Sequence, residues 1–288
     1  LQRHADQGLV DDGSGAAAAQ LREAGEAACV LADPHSIAWL LNIRGGDLAH
    51  TPLALGFALL GADAAVDLFM PAGKVPPETR AHLGTAVRIR PREELTQALG
   101  AFAGQRVRVD AEATPAWFTE ALKRAGAEPR PGEDPCRLPR ACKNAVEQQG
   151  ARNAHLRDAV ALARFLCWFD AEAPRGGQTE LSAGAKLLAL RREVPLFRAE
   201  SFPAITGAGE HGAIVHYRAD EASNRAIKPD EVFLIDSGAQ YLDGTTDVTR
   251  TLWTGPGTPP DALRDRVTRV LKGHIALATL RFPQGVAG

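Results

Sequence analysis

Apolar positions along the chain switch repeatedly between two periods: short runs of β-branched or aliphatic residues, and stretches in which they recur at helical spacing. Gly15 to Ala28 is alanine-rich and predicts a helix, Ala28 to Leu31 a buried strand, and Pro34 to Leu41 a short helix. Ala65 to Met70, Val87 to Ile89 and Val107 to Asp110 read as further strands, with a helix over Pro115 to Ala125. This mixed order is that of an α/β unit. Pro129, Pro131, Gly132, Pro135 and Pro139 then crowd together. Such a cluster is expected to continue neither regular element, so a domain boundary is placed there, giving domains 1–135 and 136–288.

Beyond Ala141 the pattern becomes that of a long helix. Val146, Ala154, Ala161, Leu162, Phe165, Leu166 and Phe169 keep helical spacing as far as Glu172, and Pro174-Arg175-Gly176-Gly177 ends it. A second helix begins at Thr179-Glu180-Leu181 and reaches about Arg192. Ser201 to Gly207 and Gly212 to Tyr217 read as strands with glycine-rich connections. Pro259 to Leu280 predicts a helix with an apolar stripe of Leu263, Val267, Val270, Leu271, Ile275 and Ala278. His155 and His274 on helices, and His211 in a loop, have no pattern that lifts them above structural residues.

The stretch from Asp230 to Thr251 carries the candidate chemistry. Val232 to Ile235 and Thr245 to Leu252 read as two strands, each with one carboxylate, Asp236 and Asp247. Loop length decides whether the two face one another, because side chains alternate faces. A two-residue loop at Leu242-Asp243 sets Asp247 opposite Gly238 and diagonal to Asp236, roughly 7–8 Å away. A loop at Asp243-Gly244, the better turn by composition, keeps the face but slides Asp247 opposite Gln240 unless a bulge forms at Gly238. A three-residue loop puts the carboxylates on opposite faces. Two converging carboxylates are costly without a cation between them, and hard oxygen donors suit Mn²⁺ or Mg²⁺, or Zn²⁺ when a His joins.

Composition adds little beyond exclusions. The 288 residues are 45% hydrophobic and 24% charged, enough chain for a sizeable core. With 33 Lys plus Arg against 35 Asp plus Glu, charge gives no case for nucleic acid or an anionic membrane. The longest apolar run falls well short of a membrane span, no signal peptide is evident, and no Walker loop, Rossmann fingerprint or Gly-x-Ser-x-Gly elbow occurs. Cys29, Cys136, Cys142 and Cys167 form no Cys-x-x-Cys pair and read as buried thiols of a reducing cytoplasm. The sole methionine is Met70, and the last residues read as a turn, so an internal piece of a longer protein is expected.

Several segments together resemble the aminopeptidase P branch of the pita-bread metallopeptidases, family M24. These are the two Asp strands, Gly212-Ala213-Ile214-Val215-His216-Tyr217, Trp39-Leu40-Leu41-Asn42-Ile43-Arg44-Gly45-Gly46-Asp47, and the helix through Asp158-Ala159-Val160-Ala161-Leu162. The likeness runs from about Gly15 to Pro283 and is most specific over Ser201 to Arg250. It implies an α/β (α+β) fold in which a creatinase/prolidase N-terminal-like middle domain is followed by an incomplete pita-bread catalytic domain, as in the long three-domain form. It also implies removal of the N-terminal residue from peptides with proline second, by two divalent ions, usually manganese, in a cytoplasmic homodimer. By the motif match Asp236 chelates one ion, Asp247 bridges both, and His216 hydrogen-bonds the reacting carbonyl region. The family's remaining His and two Glu ligands come from the second half of the fold, so these residues alone are expected to bind metal weakly and to be inactive. Arg44 has two readings, a residue that reaches an active site and, preferred over it, a structural ion pair with Asp47. A metal-free creatinase-like hydrolase and a non-catalytic pita-bread binding module are the competing functions; the intact Asp pair argues against the first, and neutral charge against a histone-binding form of the second.

Overall fold

The computed structural model describes residues 2–3 and 13–286. In chain order its principal elements begin with α1 (Gly13–Glu23), β1 (Ala28–Leu31), α2 (Pro34–Leu40), β2 (Phe57–Gly61), β3 (Val66–Phe69), β4 (Val87–Arg90), β5 (Arg106–Val109), α3 (Ala116–Arg124) and β6 (Glu128–Pro131). They continue with α4 (Ala145–Glu172), α5 (Glu180–Arg192), β7 (Phe197–Glu200), β8 (Ile205–Ala208), β9 (Val232–Ser237), β10 (Ala239–Tyr241), β11 (Gly244–Thr245), β12 (Val248–Trp253) and α6 (Asp261–Ala278). The chain divides into two compact units, one of Leu1–Val160, Arg191–Pro203 and Gly238–Asp247, the other of Ala161–Leu190, Ala204–Ser237 and Val248–Gly288.

The first unit is built on a six-stranded mixed sheet in the order β4-β3-β2-β1-β5-β6. Strand β1 pairs antiparallel with β2 and parallel with β5. Alternation along it sorts the core into two layers: Cys29 and Leu31 pack with Leu21, Ile37 and Leu68 on one face, Ala28 and Val30 with Leu99, Phe118 and Leu122 on the other. Strand β2, apolar throughout at Phe57-Ala58-Leu59-Leu60, escaped sequence reading because a strand buried on both faces shows no alternation. The proline cluster also departs from expectation. Pro129 and Pro131 lie inside β6, paired parallel with Val107 and Val109. They are tolerated because β6 is the edge of the sheet, where a missing N–H breaks no interior ladder. A second small sheet of this unit, β11-β10-β7, holds the hairpin tip.

The second unit centres on the antiparallel sheet β8-β9-β12. Strand β9 alternates, with Phe233, Ile235 and Ser237 buried and Val232, Leu234 and Asp236 on the half-exposed face. Phe233 stacks on Phe169 of α4 at 4.7 Å between ring centroids, so the helical stripe and the strand alternation meet in one core. The segment Gly212–Tyr217, expected as a strand, is instead the end of a 3-10 turn running Gly209–Ala213 followed by an irregular loop. Positive φ at Gly209 (+53°) and His216 (+57°) breaks any extended path there. Two of the four cysteines also differ from expectation: Cys29 and Cys136 are buried, Cys142 and Cys167 exposed.

Candidate metal centre

Asp236 sits in the central strand β9, opposite Ile205 of β8 and Thr249 of β12. It belongs to the outer face of that sheet, together with Leu234. The Thr249 hydroxyl donates to Asp236 Oδ1 at 2.9 Å and orients the carboxylate. Arg250, one residue on, turns its guanidinium to the Thr249 carbonyl at 2.8 Å and does not engage the acid.

Asp247 lies between β11 and β12 and is exposed. Among the described residues no hydrogen bond or ion pair engages its carboxylate. The β9–β12 ladder ends at Ser237 paired with Val248, while β10–β11 pairs Gln240 with Thr245 and Tyr241 with Gly244. Both registers count to the same loop, Leu242-Asp243. Of the three loop placements open to sequence reading, the two-residue one at Leu242-Asp243 is therefore realised, with no bulge at Gly238.

The loop choice has a packing cause. Gly244 opens β11 because α4 lies against it: a Cβ there would stand 3.0 Å from Ala154 Cβ and 3.1 Å from Ala151 Cα. The hairpin tip is further held by the Arg157 guanidinium on the Asp243 carboxylate. Beneath it lies a buried network that sequence reading missed. Asp158, 3% exposed, accepts from Arg191 Nε and Nη2 at 2.8 and 3.0 Å, from Tyr241 Oη at 2.8 Å and from Thr246 Oγ1 at 3.0 Å. Thr246 Oγ1 in turn accepts the Ala239 N–H at 3.0 Å. Burial, then the Asp158 hydrogen bond, push the Tyr241 phenol well above its ordinary value, which keeps it a donor to Asp158.

His216 is exposed, and no hydrogen bond or ion pair engages its ring among the described residues. Its loop packs on β8 and β9 at Gly207 and Leu234; a Cβ on Gly207 would lie 2.8 Å from Gly212 Cα. His211, read as a plain loop residue, is in fact bonded through Nδ1 to buried Glu180 at 2.9 Å. Arg44 also differs from expectation. Its Nη1 donates to the carbonyls of Ile43 (2.9 Å) and Ala38 (3.4 Å), while Asp47 pairs with Lys74 at 2.6 Å.

Metal chemistry fits these donors in kind but not in number. Asp236 and Asp247 are hard oxygen donors, and among the described residues no arginine or lysine neutralises either. Among the described residues no group of three or more His, Cys, Asp or Glu side chains is gathered to hold an ion.

Against this geometry, comparison with known proteins gives first the class, a creatinase-type domain joined to a metallopeptidase domain. The Creatinase/Prolidase N-terminal domain model matches residues 15–147, and the Metallopeptidase family M24 model matches 120–288. The chain belongs to metallopeptidase family M24. Aminopeptidase P2 of Arabidopsis thaliana is 34% identical over 93% of this chain and 42% of its own. A probable Xaa-Pro aminopeptidase P of Coprinopsis cinerea is 38% identical over 88% and 42%. The X-prolyl aminopeptidase of Caenorhabditis elegans, described as a cytosolic enzyme with a di-nuclear active site, superposes with a TM-score of 0.85 at 32% identity, covering 96% of this chain and 46% of that one. An Xaa-Pro dipeptidase from Bacillus anthracis shares the fold at 21% identity and a TM-score of 0.72. The chain thus spans less than half the length of the first three relatives. No helix among the described residues is long and apolar enough to cross a membrane.

Proposed function

We propose that this chain supplies the middle domain and the first half of the catalytic domain of a dinuclear Xaa-Pro aminopeptidase, which removes the N-terminal residue from peptides with proline in second position. The observation that carries the reading is the hairpin register. With the loop at Leu242-Asp243, strand parity gives Asp247 the face of Thr249, the residue paired with Asp236 across the ladder, and among the described residues neither carboxylate has a basic partner. Asp236 would ligate one ion and Asp247 both. Two bound divalent ions, manganese in this reading, supply a water activated at neutral pH and Lewis acidity toward the scissile carbonyl. His216, on a loop above the Leu234 face, donates a hydrogen bond toward the carbonyl oxygen as charge develops there. The parent acts in the cytoplasm as a homodimer.

Two carboxylates cannot complete six-fold coordination of two ions, so the 288 residues alone bind metal weakly and do not turn over peptide. The test is residue release from an Xaa-Pro tripeptide by the full-length protein. Activity should vanish with chelator and return with Mn²⁺. Asp236→Asn or Asp247→Asn should each lower it by at least ~100-fold, the upper end of what outer-shell partners of a metal cost. Turnover that chelator leaves intact would favour the metal-free creatinase-like hydrolase instead.

A further inference from the structure

Glu180, at the first turn of α5, is fully buried, and among the described residues no lysine or arginine side chain bonds its carboxylate, an arrangement that is costly unless every lone pair is met. Its four acceptor sites are all taken. Oε1 receives the Ala208 N–H at 2.8 Å and His211 Nδ1 at 2.9 Å; Oε2 receives the Tyr217 hydroxyl at 3.1 Å and the Arg225 N–H at 3.2 Å. A carboxylate oxygen that already accepts the Ala208 N–H offers a second lone pair, so the contact assigns Nδ1 of His211 as the donor. The Glu180 N–H closes the set on the Arg225 carbonyl at 3.2 Å. These donors share one property: they bracket the loop that carries His216. Ala208 ends the strand before it, Arg225 lies beyond it, and His211 and Tyr217 sit on either side, with their rings 4.4 Å apart. His216 itself holds a left-handed backbone, uncommon for any residue but glycine, and among the described residues no hydrogen bond or ion pair engages its ring.

We infer that Glu180 is the positioning residue of the His216 loop, which fixes the strained turn and aims an otherwise unrestrained imidazole. The carboxylate does not touch substrate; it acts through His211 and Tyr217. The catalytic consequence rests on the role proposed for His216, whereas the structural one does not.

Glu180→Gln keeps the shape but removes the charge and turns one acceptor atom into a donor, so at least two of the four donors lose their partner. In the 288-residue chain, amide exchange over residues 211–217 should rise at least ~10-fold while β9 and β12 keep their protection. The His216 ring resonance should broaden or double. Unchanged exchange and an unchanged ring signal in a folded E180Q would overturn the inference. Should E180Q fail to fold, Tyr217→Phe decides: it removes one donor only, and must loosen the same seven-residue segment, its failure to do so counting against Glu180. In the full-length enzyme, E180Q should lower kcat with KM held within ~2-fold, and adding it to His216→Ala should cost nothing further. A fully additive double loss would overturn positioning. An H216A enzyme of normal rate would sink the role of His216 and leave the exchange result to judge Glu180 alone.

Discussion

Asp110, just past the end of β5, is 4% exposed and accepts the N–H groups of Glu112 and Asp134, each at 2.9 Å. Burial by itself raises a carboxyl's pKa, but these donors and that of Ala113 outweigh it and hold the group below its ordinary value. A depressed folded-state value stabilises the fold fully above the unfolded value, roughly 3.9. That contribution disappears as pH falls through the lower folded value. Asp110→Asn should therefore cost about 1.5–3 kcal/mol at pH 7, the usual worth of hydrogen bonds to a charged group. Urea midpoints should show the gap between variant and parent closing below pH 4; a gap that is constant down to pH 2 would refute the assignment. Residue-scale legibility in the sequence was uneven for a reason of distance. Strand parity leaves Asp236 and Asp247 open either to cooperate or to be simply solvated, and it is the resemblance of the whole hairpin string to the family that makes them candidates. Glu180 draws no reading beyond the start of a helix, since the donors that define it come 28 to 45 residues later.

The hairpin of β10 and β11 shows what decides an element when local preference and packing differ. Composition favours Asp243-Gly244 as the loop, yet contact with α4 at Ala151 and Ala154 draws Gly244 into the strand. No local pattern could reveal that, although strand parity had already narrowed the choice to three registers. Most helices were legible from periodicity, as was the Phe165 and Phe169 stripe of α4. The His216 loop was not, because Glu180 organises it from another element. The buried Asp158–Arg191 pair, with side chains 4% and 1% exposed, anchors the hairpin, as Arg191 Nη1 also donates to the Gly238 carbonyl at 3.3 Å. Removing one partner strands the other without water. Arg191→Met should destabilise the chain by about 3–5 kcal/mol, whereas Arg191→Met with Asp158→Leu should cost distinctly less than the two singles combined. Strict additivity in denaturant unfolding would mean that the ion pair is not the organising contact.

At the scale of the molecule, the helix that periodicity foretold is present without the burial that periodicity normally signals. Along α6, Val267, Val270, Leu271, Ile275 and Leu277 are all more than half exposed, Val270 and Leu277 by 73% and 72%. An apolar stripe on a helix ordinarily faces a core, and covering one Val or Leu is worth about 1.5–3 kcal/mol. Left open, such a face should find another copy of itself. The 288-residue chain is expected to self-associate at concentrations of ~10 µM, seen as a rising weight-average sedimentation coefficient. Val270→Asp with Leu277→Asp should weaken that association at least ~10-fold, since ~1.4 kcal/mol already accounts for a factor of ten. The substitutions should leave the α-helical circular dichroism intact, because neither side chain contributes to a core. A chain that stays monomeric to ~100 µM, or a double variant that associates as strongly as its parent, would show that the exposed stripe of α6 is not an association surface.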